Sequence, residues 1–375
     1  MKLGVIGYGS RIRTVIGEMM KLEPSCRVVS IVDIRKAEMT AERRKFDLDD
    51  STRFYDTPEE MLEAGGLDGI LIGTRCSLHT EMALRVMPAG IPIYLEKPVS
   101  TTMPDLLRLK TGFERHRTPV VVSFPLRVTS IVRLVKEIVD SGKIGRIEHA
   151  QAVTNVPYGG DYFQSWYRDE NETGGLFLQK ATHDFDYIGY VLGQQPTTVA
   201  AMTSKQIFKG TKPAGLKCVD CGENRTCQDS ILLTKNPKWE YCCYAEDTGN
   251  EDSGSVLIRY ESGMHVAYSQ NFFVRRDAGA RGARFMGYKG TLEFDFFTGV
   301  VRVFMHHAPR TETYEIKPGE GHFGGDSALA DNFIRVMRGE AEPFPNLEDG
   351  LRSALLCLKA KASAETGTFQ TVEWR

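Results

Sequence analysis

Lys2-Leu3-Gly4-Val5-Ile6-Gly7-Tyr8-Gly9-Ser10-Arg11-Ile12 opens the chain with an apolar run, two glycines one residue apart, and the start of a helical pattern. An apolar strand ending in Gly-x-Gly lets the backbone turn tightly and come close to a pyrophosphate, which then sits at the N-terminus of the next helix. Ile12, Val15, Ile16, Met19 and Met20 recur at helical spacing and give that helix one apolar face. A second apolar run, 28–33, ends in Asp33, about 20 residues on, where a carboxylate accepts both hydroxyls of an adenosine ribose. Asp33, with Ile34 and Arg35 beside it, therefore favours NAD; Arg35 and Lys36 leave NADP use open. Ile12 stands where the fingerprint has its third glycine, which predicts a helix slightly further from its strand. Arg11 and Arg13 put cations in the first helical turn, against the positive end of the macrodipole. A phosphate cradled by Gly7, Tyr8, Gly9, Ser10, Arg11 and Ile12 would resolve that conflict, and so would two side chains turned to solvent.

Outward from this stretch, apolar runs at 69–73, 91–96 and 120–124 alternate with helical patterns, the signature of βαβ units on a parallel sheet. Residues 1–125 thus read as a Rossmann domain. An amphipathic helix at 130–140 ends at Ser141-Gly142, and a strand at 146–153 opens a second domain over 126–375. There, segments 255–260, 264–273, 291–296 and 300–304 alternate between Gly or Ser-Gly turns and predict an antiparallel sheet, before helical periodicity returns at 328–339 and 347–365.

The 375 residues, 41% hydrophobic, are enough for two domains, each with its own core. With 47 basic and 49 acidic residues, the net charge of -2 argues against a nucleic-acid or anionic-membrane partner. No uncharged apolar stretch approaches the roughly 20 residues that cross a bilayer, and the strand at residue 2 leaves no room for an export signal, so a cytoplasmic protein is expected.

Five of eight cysteines fall in a polar insert at about 208–252: Cys218, Cys221, Cys227 and the pair Cys242-Cys243. The spacing suits a tetrad around a structural zinc, with Cys242 or Cys243 as fourth ligand. The same ligands would hold an iron-sulfur cluster, and disulfides or free thiols are further readings. Cys26, Cys76 and Cys357 read as ordinary buried residues.

Glu96-Lys97-Pro98, after the strand at 91–96, resembles the signature of the Gfo/Idh/MocA family, the glucose-fructose oxidoreductase and inositol dehydrogenase group. Gly73-Thr74 with His79 downstream, Arg127, Ser141-Gly142-Lys143-Ile144-Gly145, Gly174-Gly175 before His183-Asp184-Phe185-Asp186, and Gly287 to Gly290 extend the likeness along the chain. The resemblance implies an α/β protein: a Rossmann fold plus an α/β domain with a large, mainly antiparallel open sheet whose face often joins dimers or tetramers. It also implies hydride transfer to or from a carbinol of a sugar, cyclitol or related polyol. Two alternatives are a glycosidase working through transient sugar oxidation and a non-catalytic dinucleotide or sugar sensor.

Within that frame Thr74, His79, Glu96 and Lys97 fall near the nicotinamide half of the cofactor. Lys97 would stabilise the developing alkoxide, and His183, matching the family's histidine, would exchange the hydroxyl proton. Inositol dehydrogenase-like members carry an aspartate four residues before that histidine; here the position is Gln179. Lys180 is then a substitute acid or donor, sharing a helix face with His183 and Asp186. Arg127, Tyr162, Trp166 and Arg168, with Lys180, His183 and Asp186, complete the expected substrate contacts.

Overall fold

The computed structural model describes residues 1–236, 238–317, 319 and 321–374. They divide into two compact units, Met1–Ser130 with Gly319–Leu355, and Ile131–Pro318 with Leu356–Arg375. This differs from a division at 125/126, because Gly319–Leu355 packs into the first unit.

The first unit holds a six-stranded parallel sheet, β1 (Lys2–Ile6), β2 (Arg27–Val32), β3 (Arg53–Tyr55), β4 (Gly69–Ile72), β5 (Ile93–Leu95) and β6 (Val120–Val122). Their order is β3-β2-β1-β4-β5-β6, so the chain crosses over between β3 and β4, beside β1. In open α/β sheets that crevice, outside the carboxyl ends of the strands, is where ligands bind. Helix Ser10–Leu22 buries Ile12, Val15, Ile16 and Met19, as its spacing predicts, but exposes Met20, and helix Gly325–Met337 adds Leu329, Ala330, Phe333 and Ile334 to the same core. Tyr94 of β5 meets Phe333 edge to face at 5.7 Å. Pro345 and Asn346 pair with the β6 edge, the Val122 amide donating to the Pro345 carbonyl at 2.9 Å, so that edge is covered.

The second unit is built on nine strands: β7 (Ile147–Asn155), β8 (Pro196–Ser204), β9 (Ser253–Tyr260), β10 (His265–Asn271), β11 (Ala280–Gly287), β12 (Gly290–Asp295), β13 (Val300–Met305), β14 (Thr311–Glu315) and β15 (Gln370–Thr371). The order is β14-β13-β12-β11-β7-β10-β9-β8-β15, antiparallel except where β7 meets β10. β9 alternates buried and exposed residues, the pattern of a sheet with one covered face. A wide turn, Phe177–Ala181, runs into helix Thr182–Leu192, whose residues are buried almost throughout. Among the described residues no helix is long and apolar enough to cross a membrane.

Candidate active site

The turn after β1 is built to admit a ligand close to backbone. Gly7 has φ +81°, and a Cβ there would meet the Thr74 amide nitrogen at 2.6 Å. Gly9 caps the following helix without a side-chain hydrogen bond, leaving first-turn amides available to an anion. The expected gap between helix and strand does not open. A Cβ on Gly73, just after β4, would lie 2.0 Å from Ile12 Cγ1, so Gly73 makes the room that a glycine at position 12 would have made.

Asp33 accepts hydrogen bonds from the amides of Tyr8 and Arg35, both at 2.8 Å, and pairs with the Arg35 guanidinium at 3.1 Å. Burial opposes its charge, but these donors outweigh burial and hold the carboxyl below its ordinary range. Ile34 is fully exposed beside it.

Arg11 is half-buried and turned toward carboxylates. Its guanidinium donates to both Asp326 carboxylate oxygens, at 2.7 and 2.8 Å, and its Nε to Glu96 at 3.0 Å. Burial works against the Asp326 charge, yet the bonds from His322 and Arg11 prevail and hold it well below the carboxylate range. The macrodipole conflict is thus met by carboxylates. Glu96 also accepts from Ser123 at 2.9 Å, so it anchors the segment carrying Lys97. His79 is buried, one ring nitrogen 2.7 Å from the Pro98 carbonyl and the other 3.3 Å from that of Thr74. Desolvation lowers its basicity. It ties the Lys97-Pro98 segment, whose peptide bond is cis, to the Thr74 turn.

Arg127 is buried, paired with Asp349 at 2.7 Å and set over the Phe344 ring. Arg168 donates to Asp247 and to the Thr248 hydroxyl at 3.1 Å and lies over the face of Tyr241 at 4.7 Å, while its buried Nε and Nη1 have no hydrogen-bond partner among the described residues. Tyr162 packs edge to face on Tyr167 and Phe272, and Trp166 stacks on Tyr167. An aromatic loop composition fits packing as well as sugar stacking, and here packing takes most of it.

Lys180 and His183, 4% and 6% exposed, and the buried Asp186 lie along Phe177–Ala181 and helix Thr182–Leu192. Gln179 donates to the Thr173 carbonyl at 3.1 Å and brings no charge to His183. The Lys180 amine donates to the Tyr158 hydroxyl and lies 4.8 Å from that ring's centroid. Beside it, Asp184 accepts from Arg281 at 2.8 Å, Thr154 at 2.9 Å and Tyr268 at 3.0 Å. Sequence reasoning missed Tyr158, Arg281 and Asp326. Arg281 left a signal, because it shares strand parity with the inward residues Ala283 and Phe285 of β11.

The zinc and iron-sulfur expectations for Cys218, Cys221, Cys227, Cys242 and Cys243 are not met: among the described residues no group of three or more ligand side chains could hold a metal. Burial, and after it the neighbouring thiols and carboxylates, raise the thiols of Cys227, Cys242 and Cys243. The insert has other fastenings. Asp252 accepts from the Ile207 and Phe208 amides, and Phe208 and Cys243 join a core with Phe163 and Phe272. Cys26, Cys76 and Cys357 are buried, as expected.

Residues 1–124 match the model of an oxidoreductase family with an NAD-binding Rossmann fold, and 132–293 that of the GFO/IDH/MocA C-terminal domain. The chain belongs to the Gfo/Idh/MocA oxidoreductase family. It is 27% identical over 218 residues to the myo-inositol 2-dehydrogenase of Thermotoga maritima, an alignment covering 57% of this chain and 62% of that one. Its fold matches an oxidoreductase domain protein from Kribbella flavida with TM-score 0.81 at 16% identity, over 99% of this chain and 98% of that one. It also matches a levoglucosan dehydrogenase solved with NADH and levoglucosan, with TM-score 0.79 at 17% identity, over 99% of both chains.

Proposed function

We propose that the protein is a nicotinamide-dependent dehydrogenase that moves a hydride to or from a carbinol of a sugar, cyclitol or related polyol, with NAD as the expected coenzyme. The Gly7-Tyr8-Gly9 turn, closed against Gly73-Thr74 and facing an ordered Asp33 carboxylate, carries the reading: a Cβ at Gly7 would fill the cradle that a pyrophosphate needs. Gly7, Gly9 and Ser10 would hold the phosphates and Asp33 the adenosine ribose. The bound nicotinamide supplies the hydride acceptor or donor. Lys97 would hydrogen-bond the reacting oxygen and stabilise negative charge as it develops. Lys180 and His183 would exchange the hydroxyl proton.

The relatives' names, an inositol dehydrogenase and a levoglucosan dehydrogenase, support polyhydroxylated ring substrates. We further infer a cytoplasmic homodimer or homotetramer joined through the open sheet face, where Leu257 and Met202 are exposed. Titration with NADH followed by assay of NAD reduction on myo-inositol, scyllo-inositol and levoglucosan tests the function. Binding with turnover that falls on Lys97→Ala is expected; no association with NADH refutes it.

A further inference from the structure

The polar insert of the second unit is a hairpin pinched at its neck. Lys217 bridges Tyr241, the Cys218 amide donates to the Glu240 carbonyl at 2.8 Å, and the Cys242 amide donates to the Leu216 carbonyl at 2.9 Å. Cys218 also opens a three-residue turn, Cys218–Asp220, which the Cys221 amide closes by donating to the Cys218 carbonyl at 3.3 Å. Such a turn sets side chains i and i+3 over one another, with Cα atoms less than about 7 Å apart. A disulfide joins Cα atoms roughly 4.4–6.8 Å apart, so the Cys218 and Cys221 sulfurs can meet without undoing the turn. Cys218 is 5% exposed and Cys221 half-buried, so solvent reaches one thiol of the pair while the other is shielded. The Lys212 amine faces Cys221 and Cys242, and the Ile231 amide donates to Cys218 Sγ at 3.4 Å. A cation beside the outer sulfur and an N–H on the inner one are the surroundings in which thiols react. Cys243 stands apart, in the aromatic core with Phe163 and Phe272.

We propose that Cys218 and Cys221 form a reversible redox pair, reduced in this structure and closed to a disulfide by a hydroperoxide. With hydrogen peroxide, the Cys221 sulfur attacks one peroxide oxygen and the O–O bond breaks. The departing hydroxide takes the thiol proton and leaves as water, and Cys221 becomes a sulfenic acid. The Cys218 sulfur then attacks the Cys221 sulfur: the S–S bond forms, the S–O bond breaks, and hydroxide carries the Cys218 proton away as a second water. Two thiols are oxidised and one peroxide is reduced to water, and a dithiol reductant reverses the change by exchange. The link pins the turn at the neck of the hairpin, and the opposite arm of that neck holds the segment 161–168. The Glu240 and Tyr241 amides donate to the Gln164 carbonyl at 2.8 and 3.1 Å, the Trp239 indole donates to Asp161 at 2.5 Å, and Arg168 lies over the Tyr241 ring. Oxidation of the pair therefore stiffens the insert where it grips the rest of the second unit.

The test uses the full chain with hydrogen peroxide as oxidant, iodoacetamide to cap the remaining thiols in denaturant, and tryptic mapping. Trypsin cuts after Lys217 and Arg225, so Cys218 and Cys221 share the peptide 218–225, whereas Cys227 falls in 226–235 and Cys242 and Cys243 in 239–259. Oxidised protein should yield 218–225 uncapped and about 2 Da lighter than the dithiol, with both caps regained after dithiothreitol and the other two peptides capped throughout. Cys218→Ser should halt Cys221 at the sulfenic acid, which dimedone traps, and Cys221→Ser should leave Cys218 fully capped. Hydrogen exchange at the neck, 216–221 and 240–242, should slow roughly tenfold on oxidation. A disulfide tying 226–235 to 239–259, full capping of 218–225 after peroxide, or no dimedone adduct in Cys218→Ser would overturn the pair. Purified protein with one zinc per chain that blocks oxidation until a chelator removes it would overturn it as well, and unchanged exchange at the neck would overturn the stiffening.

Discussion

Gly73→Ala puts the closest approach in the cofactor turn under strain. The new Cβ would stand 2.0 Å from Ile12 Cγ1 and 2.8 Å from its Cδ1, and Ile12 is fully buried, so the side chain has nowhere to swing. Carbon atoms rest at about 3.5–4.0 Å, so helix and strand must part by roughly 1.5 Å. Overpacking of this kind costs about 1–3 kcal/mol in stability. The displaced part is the N-terminal turn of helix Ser10–Leu22, which holds the amides that would meet the pyrophosphate. Misplacement by about 1 Å costs on the order of 100-fold, so NADH should bind about 10- to 100-fold more weakly. Ile12→Ala added to Gly73→Ala removes the Cγ1 and Cδ1 contacts and leaves only Ile12 Cβ at 3.2 Å, and it should recover most of the affinity. Quenching of protein fluorescence by NADH and thermal melting of the three proteins measure both quantities. Gly73→Ala with wild-type affinity, or a double variant binding no better than Gly73→Ala, would refute the account of how Ile12 is accommodated.

Asp184→Leu strands Arg281 in the interior and should cost about 3–5 kcal/mol, whereas Asp184→Leu with Arg281→Met should recover much of it; additive urea midpoints would contradict the pairing. Burial pushes Glu251 up to about 7, so the folded state takes up a proton there that the unfolded chain binds only nearer its ordinary carboxyl value, about 4.3. Stability therefore rises as pH falls through that window, and Glu251→Gln should be stabilised by about 1–3 kcal/mol near pH 8 but not near pH 5; equal shifts at both would exclude a buried charge as the cause. Leu257→Asp, on the open sheet face, should yield monomers in light scattering if that face joins subunits, and an unchanged mass would place the interface elsewhere.

Where structure follows local pattern, the sequence was legible. The runs ending at Gly7 and Asp33 match β1 and β2 to within a residue, and the glycine turn, Asp33 and the Glu96-Lys97-Pro98 segment stand together in one unit. β3 went unread because Arg53–Tyr55 is three residues long with no apolar run, and β14 because Thr311–Glu315 alternates polar residues with little burial. The partner of Arg11 lies 315 positions away, beyond any window of periodicity. Arg127 and Arg168 have the chemistry of substrate ligands, but their partners, Asp349 and Asp247, come from segments whose approach only the fold decides. Cysteine spacing names candidate ligands but does not reveal that hydrogen bonds from Asp252 and an aromatic core also order the insert.

Because Gly325–Met337 lies against Ser10–Leu22 and Asp326 takes the guanidinium of Arg11, the amino-terminal sheet is finished by the last sixth of the polypeptide. A fragment ending near residue 124 would expose that apolar helix face and leave a half-buried arginine without two of its oxygens. During synthesis the nucleotide-binding half can close only once Gly319–Leu355 has been made and has emerged from the ribosome, and an excised version needs Gly319–Leu355 grafted back by a linker to cover the same face.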